Sequence, residues 1–352
     1  MKMSTPVFVP YQPSYSLNEK LQRTVTIAQA TATVASHLLR GSSTKFAASI
    51  EITDRCNAGC HYCYVYPPEW TQRDRLQGYL QLSKPDRERK EAQVFETLER
   101  LHRQGIVHVT LVGGEPALAP KAIEQAAALF PVVWVVTNGS IKLPSLPRSV
   151  SVFVSLDGLP EAHNQARDPL GFFANHRYKE LTGMTAAIAR NIDRSERGAY
   201  IHLTLTRSAI DQFSETVDWL VANIEKLRGI VVSGTTAASK TDPVAFTPID
   251  RQQLKQAIVA AAQKYGWQLF PFNQPMVNEF LFDEEHIIHS PADCSVANRV
   301  ESLNFNGDSV GKCILRDEMD CETCMCNITG LARAIDRLDI STISSVVNAT
   351  FG

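Results

Sequence analysis

Cys56-Asn57-Ala58-Gly59-Cys60-His61-Tyr62-Cys63 sets three thiols at a C-x3-C-x2-C spacing. Directly before it, Phe46–Ile52 reads as a buried strand, and Thr53-Asp54-Arg55 carries the chain off the strand end. The cysteines therefore sit on a loop at the carboxyl end of a first strand, where α/β folds place their ligands. Three thiolates on one short loop suit a metal centre with one position left open. A 4Fe–4S cluster takes four ligands, usually four cysteines, so three leave one iron free. Structural zinc instead prefers four ligands in paired C-x2-C or Cys/His sets, and no second pair lies near. Cys60 and Cys63 alone would make a redox dithiol, which leaves the third thiol without a use.

Outward from this loop, strand and helix patterns alternate. Strands are expected at Phe46–Ile52, Val107–Val112, Val132–Val136, Val150–Leu156, Tyr200–Leu205 and Gly229–Val232. Helices are expected at Lys84–Gln104, Pro120–Leu129, Tyr178–Ile192, Asp211–Leu227 and Arg251–Tyr265. Six strands joined by crossovers predict an α/β fold with a parallel sheet, short of the eight repeats of a closed barrel. Ahead of it, residues 1–45 form an extension with one helix, Leu17–Leu39, ended by Gly41–Thr44. The stretch Tyr64–Ser83 is long for a strand-to-helix connection; it either covers the site or is a surface excursion. The expected organisation is an extension (1–45), a core (46–240) and a C-terminal region (241–352).

The chain has 352 residues, 44% hydrophobic and 20% charged, with a formal net charge of −2. That is the composition of an ordinary globular protein, and bulk charge selects neither nucleic acid nor membrane. A basic run from Arg73 to Lys90 alternates with Asp86 and Glu88, which suits a solvated helix face better than nucleic-acid binding. No apolar run is long enough to span a bilayer, and the N-terminus lacks a signal-peptide pattern. The eight cysteines fall in two groups, Cys56, Cys60, Cys63 and Cys294, Cys313, Cys321, Cys324, Cys326. Clustered cysteines without an export signal point to metal rather than disulfides, and iron–sulfur chemistry calls for a reducing compartment, so the cytoplasm is expected.

The cysteine spacing, with Tyr62 just before the last thiol, resembles the radical SAM superfamily. The resemblance implies a partial (β/α)6 TIM barrel in which Cys56, Cys60 and Cys63 hold a catalytic 4Fe–4S cluster and Tyr62 lies against the cofactor. The open iron would chelate S-adenosylmethionine (SAM), and an electron from the cluster would cleave it to a 5′-deoxyadenosyl radical. The second expected strand ends in Gly113-Gly114-Glu115-Pro116, which resembles the family segment binding the methionine amino group. Asn138, Ser155 and Asp157, at the next strand ends, resemble segments near the methionine and ribose; for Asn138-Gly139 and Asp157-Gly158, turn chemistry is the plain alternative. Arg207 suits the methionine carboxylate. Val231 lies in a segment like the one whose backbone meets adenine. His202 and Thr204 line the cavity if their strand face is the barrel interior, and Glu161, His163, Asn164 and Arg167 follow Asp157 towards the same site.

The C-terminal cysteines resemble a twitch or abbreviated SPASM region. Cys294 precedes and Cys313 follows an expected β-hairpin around Asn306-Gly307, Cys321-x-x-Cys324 comes next, and a helix is expected at Leu331–Leu338. The five would hold an auxiliary 4Fe–4S cluster, with Cys324 or Cys326 left over or an open coordination site present; a structural zinc site is the alternative. Phe272-Asn273-Gln274 and Cys321-Glu322-Thr323-Cys324-Met325 resemble the adenosylhopane synthase type, which keeps radical addition to an alkene open. The reaction expected is hydrogen abstraction leading to oxidation, epimerisation or C–C or C–S bond formation on a peptide, small molecule or lipid. Electrons would come from a reductase or a flavodoxin- or ferredoxin-type donor. Peptide-modifying relatives carry a leader-binding domain longer than the 45-residue extension; a separate partner could supply it, and a small-molecule or lipid substrate is expected at least as much as a peptide. The rival class is a non-catalytic iron–sulfur electron-transfer or structural metal protein.

Overall fold

The computed structural model describes residues 7–39, 45–67, 69–80, 82–147, 150–271, 274–280 and 282–351. Helix α1 (Leu17–Leu39) precedes β1 (Ala47–Glu51), whose five residues are all buried. Helices α2 (Gln72–Leu80) and α3 (Lys84–Arg103) lead to β2 (His108–Val112), and α4 (Pro120–Leu129) to β3 (Val132–Thr137). A loop without a helix joins β3 to β4 (Val150–Leu156). After α5 (Pro160–Arg167) come a two-residue hairpin, β5 (Arg177–Tyr178) and β6 (Leu181–Thr182), and then α6 (Gly183–Arg194). Strand β7 (Ala199–Leu205), α7 (Phe213–Asn223), β8 (Leu227–Gly234) and α8 (Pro248–Tyr265) complete the repeat. The remainder holds α9 (Gln274–Asn278), α10 (Ser295–Arg299), β9 (Val300–Leu303), α11 (Asn327–Asp336) and α12 (Ile340–Phe351).

Among the described residues, seven strands form one sheet in the order β8-β7-β4-β3-β2-β1-β9, every neighbouring pair parallel. From β1 to β8 each new strand is laid down on the same side. Such same-handed crossovers curl the sheet into a partial barrel. Inside it, rings from adjacent strands form a ladder: His108–Trp134 at 4.6 Å, Trp134–Phe153 at 5.0 Å and Phe153–Tyr200 at 5.3 Å between centroids. Such cross-strand pairs stabilise a sheet and fill its lower lumen. Helix α11 packs against β8, and α12 against β4 and α1.

Four expectations change. The seventh strand, β9, pairs with β1 rather than with a hairpin partner; the expected hairpin reduces to one antiparallel bridge, Leu303–Ser309. A parallel edge on β1 offers four residues of pairing, more than the short turn can. The helix expected at Tyr178–Ile192 starts later, at Gly183: Lys179 (φ 52°) and Gly183 (φ 72°) occupy the left-handed region, and the small hairpin takes up Tyr178 and Leu181–Thr182 ahead of α6. Helix α2 lies in the stretch expected as loop, though Thr71-x-x-Asp74 is its capping box, with the Thr71 N–H and the Asp74 carboxylate 2.9 Å apart. Helix α12 was also missed, although Asp339 caps it and Ile343, Val346 and Val347 share helical spacing. Gly41–Thr44, Phe272 and Asn273 lie outside the described residues.

Arg316 ties the C-terminal region to the barrel. Its guanidinium donates to Glu51 Oε1 (2.7 Å) and to the Tyr64 carbonyl (3.0 Å), and the Glu51 side chain is 2% exposed. Removing one partner of such a pair strands the other charge. Arg316→Ala is expected to cost about 3 kcal/mol. Urea denaturation checks this, and adding Glu51→Gln should recover part of the loss.

Candidate active site

At the carboxyl ends of the strands lies a cavity of about 230 Å3. Cys56, Cys60 and Cys63 line one side; Gly113, Gly114, Asn138 and Ser155 line the strand ends opposite, with Tyr62, His202 and Thr204. The expected interior face of the His202 strand is therefore the observed one. Among the described residues, no three or more Cys, His, Asp or Glu side chains converge closely enough to hold a single metal ion. A 4Fe–4S cluster gives each thiolate its own iron, so three thiols spaced around a cavity wall fit it. Cys56 and Cys60 are buried, and burial pushes the Cys60 thiol up to about 11, with the Arg167 guanidinium pulling the other way. Metal binding is what would draw such thiols into the thiolate form.

The cysteine loop is clamped from the stretch expected as loop. Arg75, 3% exposed, donates to the Cys60 carbonyl (3.1 Å), and its own carbonyl accepts from Cys56 N–H (3.2 Å). Gln72 Nε2 donates to the Asn57 carbonyl (2.8 Å) and to Asp168 (2.9 Å). Asn57 joins the loop to the end of β3: it accepts from Asn138 Nδ2 (2.7 Å) and donates to Ser140 Oγ (3.0 Å). Arg75→Ala leaves buried carbonyls without a donor, at about 1–3 kcal/mol. The expected result is a lower melting temperature and under-filled iron at the first cysteine group alone, measured by iron assay and calorimetry.

Gly113 and Gly114 bring β2 against the chain leaving β1. Gly113 has φ 119°, and a Cβ on Gly114 would stand 1.8 Å from the Arg55 carbonyl oxygen. Neither Glu115 nor Pro116 lines the cavity. Glu115 is fully buried and accepts from Thr137 Oγ1, Ala117 N–H (2.9 Å) and Asn138 N–H (2.7 Å). Burial raises its carboxyl, and these hydrogen bonds oppose the rise. It brackets the ends of β2 and β3 together instead of reaching into the cavity.

Asp157 is also engaged internally. Its two oxygens accept from Arg167 Nε (2.7 Å) and Nη2 (2.6 Å). Burial pushes its carboxyl up, but the Arg167 guanidinium more than offsets this and holds it below its ordinary value. Arg167 itself lines the cavity, as expected from its place after Asp157, and supplies a positive group there; its pairing with both Asp157 oxygens is what the sequence did not show. His163 is fully buried and accepts from Asp157 N–H (3.3 Å). His202 shares a hydrogen bond with Ser233 (2.9 Å), and burial holds its imidazole down at about 4. Arg207 lies away from the cavity, paired with Asp250 (2.8 Å), a capping residue of α8. Val231 lines a smaller apolar cavity of about 90 Å3 that shares Val136 and His202 with the first.

Residues 50–220 match the model of the Radical SAM superfamily. The chain carries a radical SAM domain. Over 184 residues it is 25% identical to the sporulation killing factor maturation protein SkfB of Bacillus subtilis (strain 168), a match covering 48% of this chain and 38% of that protein. Over 106 residues it is 28% identical to an S-adenosylmethionine-dependent nucleotide dehydratase of Flammeovirga pacifica, covering 29% of this chain and 33% of that one. The chain thus spans well under half the length of both curated relatives. Among solved structures, Streptococcus suis SuiB bound to precursor peptide SuiA shares the fold, with a TM-score of 0.52 and 15% identity over 89% of this chain and 69% of that one.

Beyond the radical SAM domain, the five C-terminal cysteines lie near one another, with Cys326 in electrostatic reach of Cys324, Cys313 and Cys294. Cys326 lines the main cavity with Cys56, Cys60 and Cys63, whereas Cys294, Cys313, Cys321 and Cys324 do not. Cys313 lies within electrostatic reach of Cys324, Cys294 and Cys321, and burial pushes it up to about 11. The backbone N–H of Cys326 donates to Cys324 Sγ (3.5 Å). No helix of the described residues is long and apolar enough to cross a membrane.

Proposed function

We propose that this protein is a radical SAM enzyme that abstracts a hydrogen atom from a peptide substrate. The observation that carries the reading is one cavity at the strand ends lined by Cys56, Cys60, Cys63, Gly113 and Gly114. A 4Fe–4S cluster, when bound, supplies the electron that splits SAM into methionine and a 5′-deoxyadenosyl radical. Cys56, Cys60 and Cys63 would hold it. The backbone of Gly113 and Gly114 and the side chains of Tyr62, Asn138 and Ser155 would seat SAM, with Arg167 offering positive charge to its carboxylate. The α2 clamp keeps the three thiols in place, and the aromatic ladder keeps water out of the lower barrel.

A peptide substrate is supported by the names of two relatives, a maturation protein and an enzyme bound to its precursor peptide. Cys294, Cys313, Cys321 and Cys324 would hold an auxiliary cluster. A flavodoxin- or ferredoxin-type protein would deliver electrons. The test is anaerobic reconstitution with iron and sulfide, then SAM and dithionite, with nucleosides read by mass spectrometry. Release of 5′-deoxyadenosine is the expected result. Iron-filled protein that leaves SAM intact would overturn the reading in favour of an electron-transfer or structural metal protein.

A further inference from the structure

We propose that Arg75 is the fixed counter-charge of the cluster on the first cysteine loop, holding a positive charge beside Cys60 that makes the cluster easier to reduce. The inference rests on the radical reading above. It concerns the charge of this side chain, which a clamp on the loop carbonyls does not by itself require. Arg75 is 3% exposed and lines the cavity together with Cys56, Cys60 and Cys63. Its Nη1 donates to the Cys60 carbonyl (3.1 Å) and reaches the Ala58 carbonyl (3.5 Å), and its guanidinium carbon lies 5.0 Å from the centre of the Tyr66 ring. Its Nε–H is buried without a hydrogen-bond partner. Among the described residues, no carboxylate pairs with Arg75, and the acids around the loop are taken: Asp54 by Lys90, Asp157 by Arg167, and Asp168 by Gln72 and the N–H groups of Phe172 and Phe173. A guanidinium held out of water with no partner charge is unfavourable until an anion sits beside it. Cys60 lies within electrostatic reach of both Arg75 and Arg167, but Asp157 already offsets Arg167.

The chemistry follows from charge. Three thiolates on a 4Fe–4S core make an anion in either oxidation state. Reduction adds one electron, which the flavodoxin- or ferredoxin-type donor (or dithionite) loses; no proton accompanies it and no bond is made or broken. Net charge and hydrogen bonds to the sulfurs set the potential of such clusters. A positive group fixed nearby favours the more negative, reduced state, and a buried one is screened little by salt. The spare Nε–H is a donor of the kind that cluster sulfurs accept. A neutral side chain that kept the bond to the Cys60 carbonyl would hold the loop yet leave the added electron less stabilised. Clamp and charge are therefore separable by substitution.

The experiment is a potentiometric titration of the reconstituted full chain, without SAM, followed by electron paramagnetic resonance. Parent, Arg75→Lys and Arg75→Gln are compared. The signal that is missing from Cys60→Ala belongs to the loop cluster, and its midpoint is the quantity read. Both substituted side chains can donate to the loop carbonyls; only lysine brings a positive charge. In Arg75→Gln the ratio of reduced to oxidised cluster at the parent's midpoint should fall about tenfold, a drop of about 59 mV for a one-electron couple. Arg75→Lys should shift less than half as far, and added salt should leave the difference in place. An Arg75→Gln midpoint equal to the parent's, or equal shifts in the two variants, would overturn the proposal and leave Arg75 a clamp alone. If Arg75→Gln holds no cluster, iron content decides: iron kept in Arg75→Lys supports the counter-charge, and iron lost from both overturns it. A parent whose signals all persist in Cys60→Ala would instead sink the radical reading itself.

Discussion

Cys60→Ala is expected to bring reductive cleavage of SAM to the level of protein-free controls and to remove about four irons per chain, one 4Fe–4S cluster. The three thiols at 56, 60 and 63 each address a different iron, and the cavity holds no spare donor on that loop. His61, on the same loop, is exposed and outside the cavity lining. Cys60 is also the residue whose backbone carbonyl Arg75 holds, so the loop keeps its shape when the sulfur is lost. The defect is therefore chemical rather than a fold defect, and circular dichroism should match the parent chain. Iron analysis together with nucleoside mass spectrometry makes the measurement. Full iron retention in Cys60→Ala would mean that the first cysteine group does not hold the cluster.

Gly114→Ala is expected to cost about 3 kcal/mol or more, because the clash is with main chain that cannot swing aside. The added methyl would fall 1.8 Å from the Arg55 carbonyl oxygen and 2.4 Å from the Tyr66 hydroxyl. The same backbone makes Gly114 N–H to Thr53 (3.0 Å) and Glu115 N–H to Arg55 (2.6 Å), so relieving the clash breaks the pairing that joins β2 to the cysteine loop. Both consequences fall on the site: reconstituted iron should drop and SAM should bind at least tenfold more weakly. Equilibrium denaturation and isothermal titration with SAM read the two effects. Gly158→Ala is the control. Its Cβ would meet nothing within 4 Å, and its φ of 157° costs strain alone.

Much of the core was legible because its signals are local. Helix Pro120–Leu129 and strand Val150–Leu156 have the bounds the pattern predicts, since period and flanking prolines act over a few residues. Helix α2 was legible in principle from Thr71-x-x-Asp74, but its polar sequence hides two buried residues, Gln72 and Arg75, behind an exposed-looking pattern. Asp157 shows the limit at the site. An aspartate before glycine at a strand end suits ribose, and only folding places Arg167 across both its oxygens. Glu115 and Arg207 fail in the same way, each satisfied by partners on other elements.

By itself, the amino-acid order determined the three-thiol loop at the end of a buried strand, the glycine pair at the end of the next, and the α/β alternation between them. Those features are written in spacings of a few residues, where covalent geometry leaves little choice. The tertiary structure alone decided that β9 joins β1, that Arg316 reaches Glu51, and that Cys326 rather than Cys324 faces the cavity. Cys324 and Cys326 are two residues apart and chemically identical. Only the docking of residues 325–327 onto the end of β8 points one thiol into the barrel and leaves the other outside.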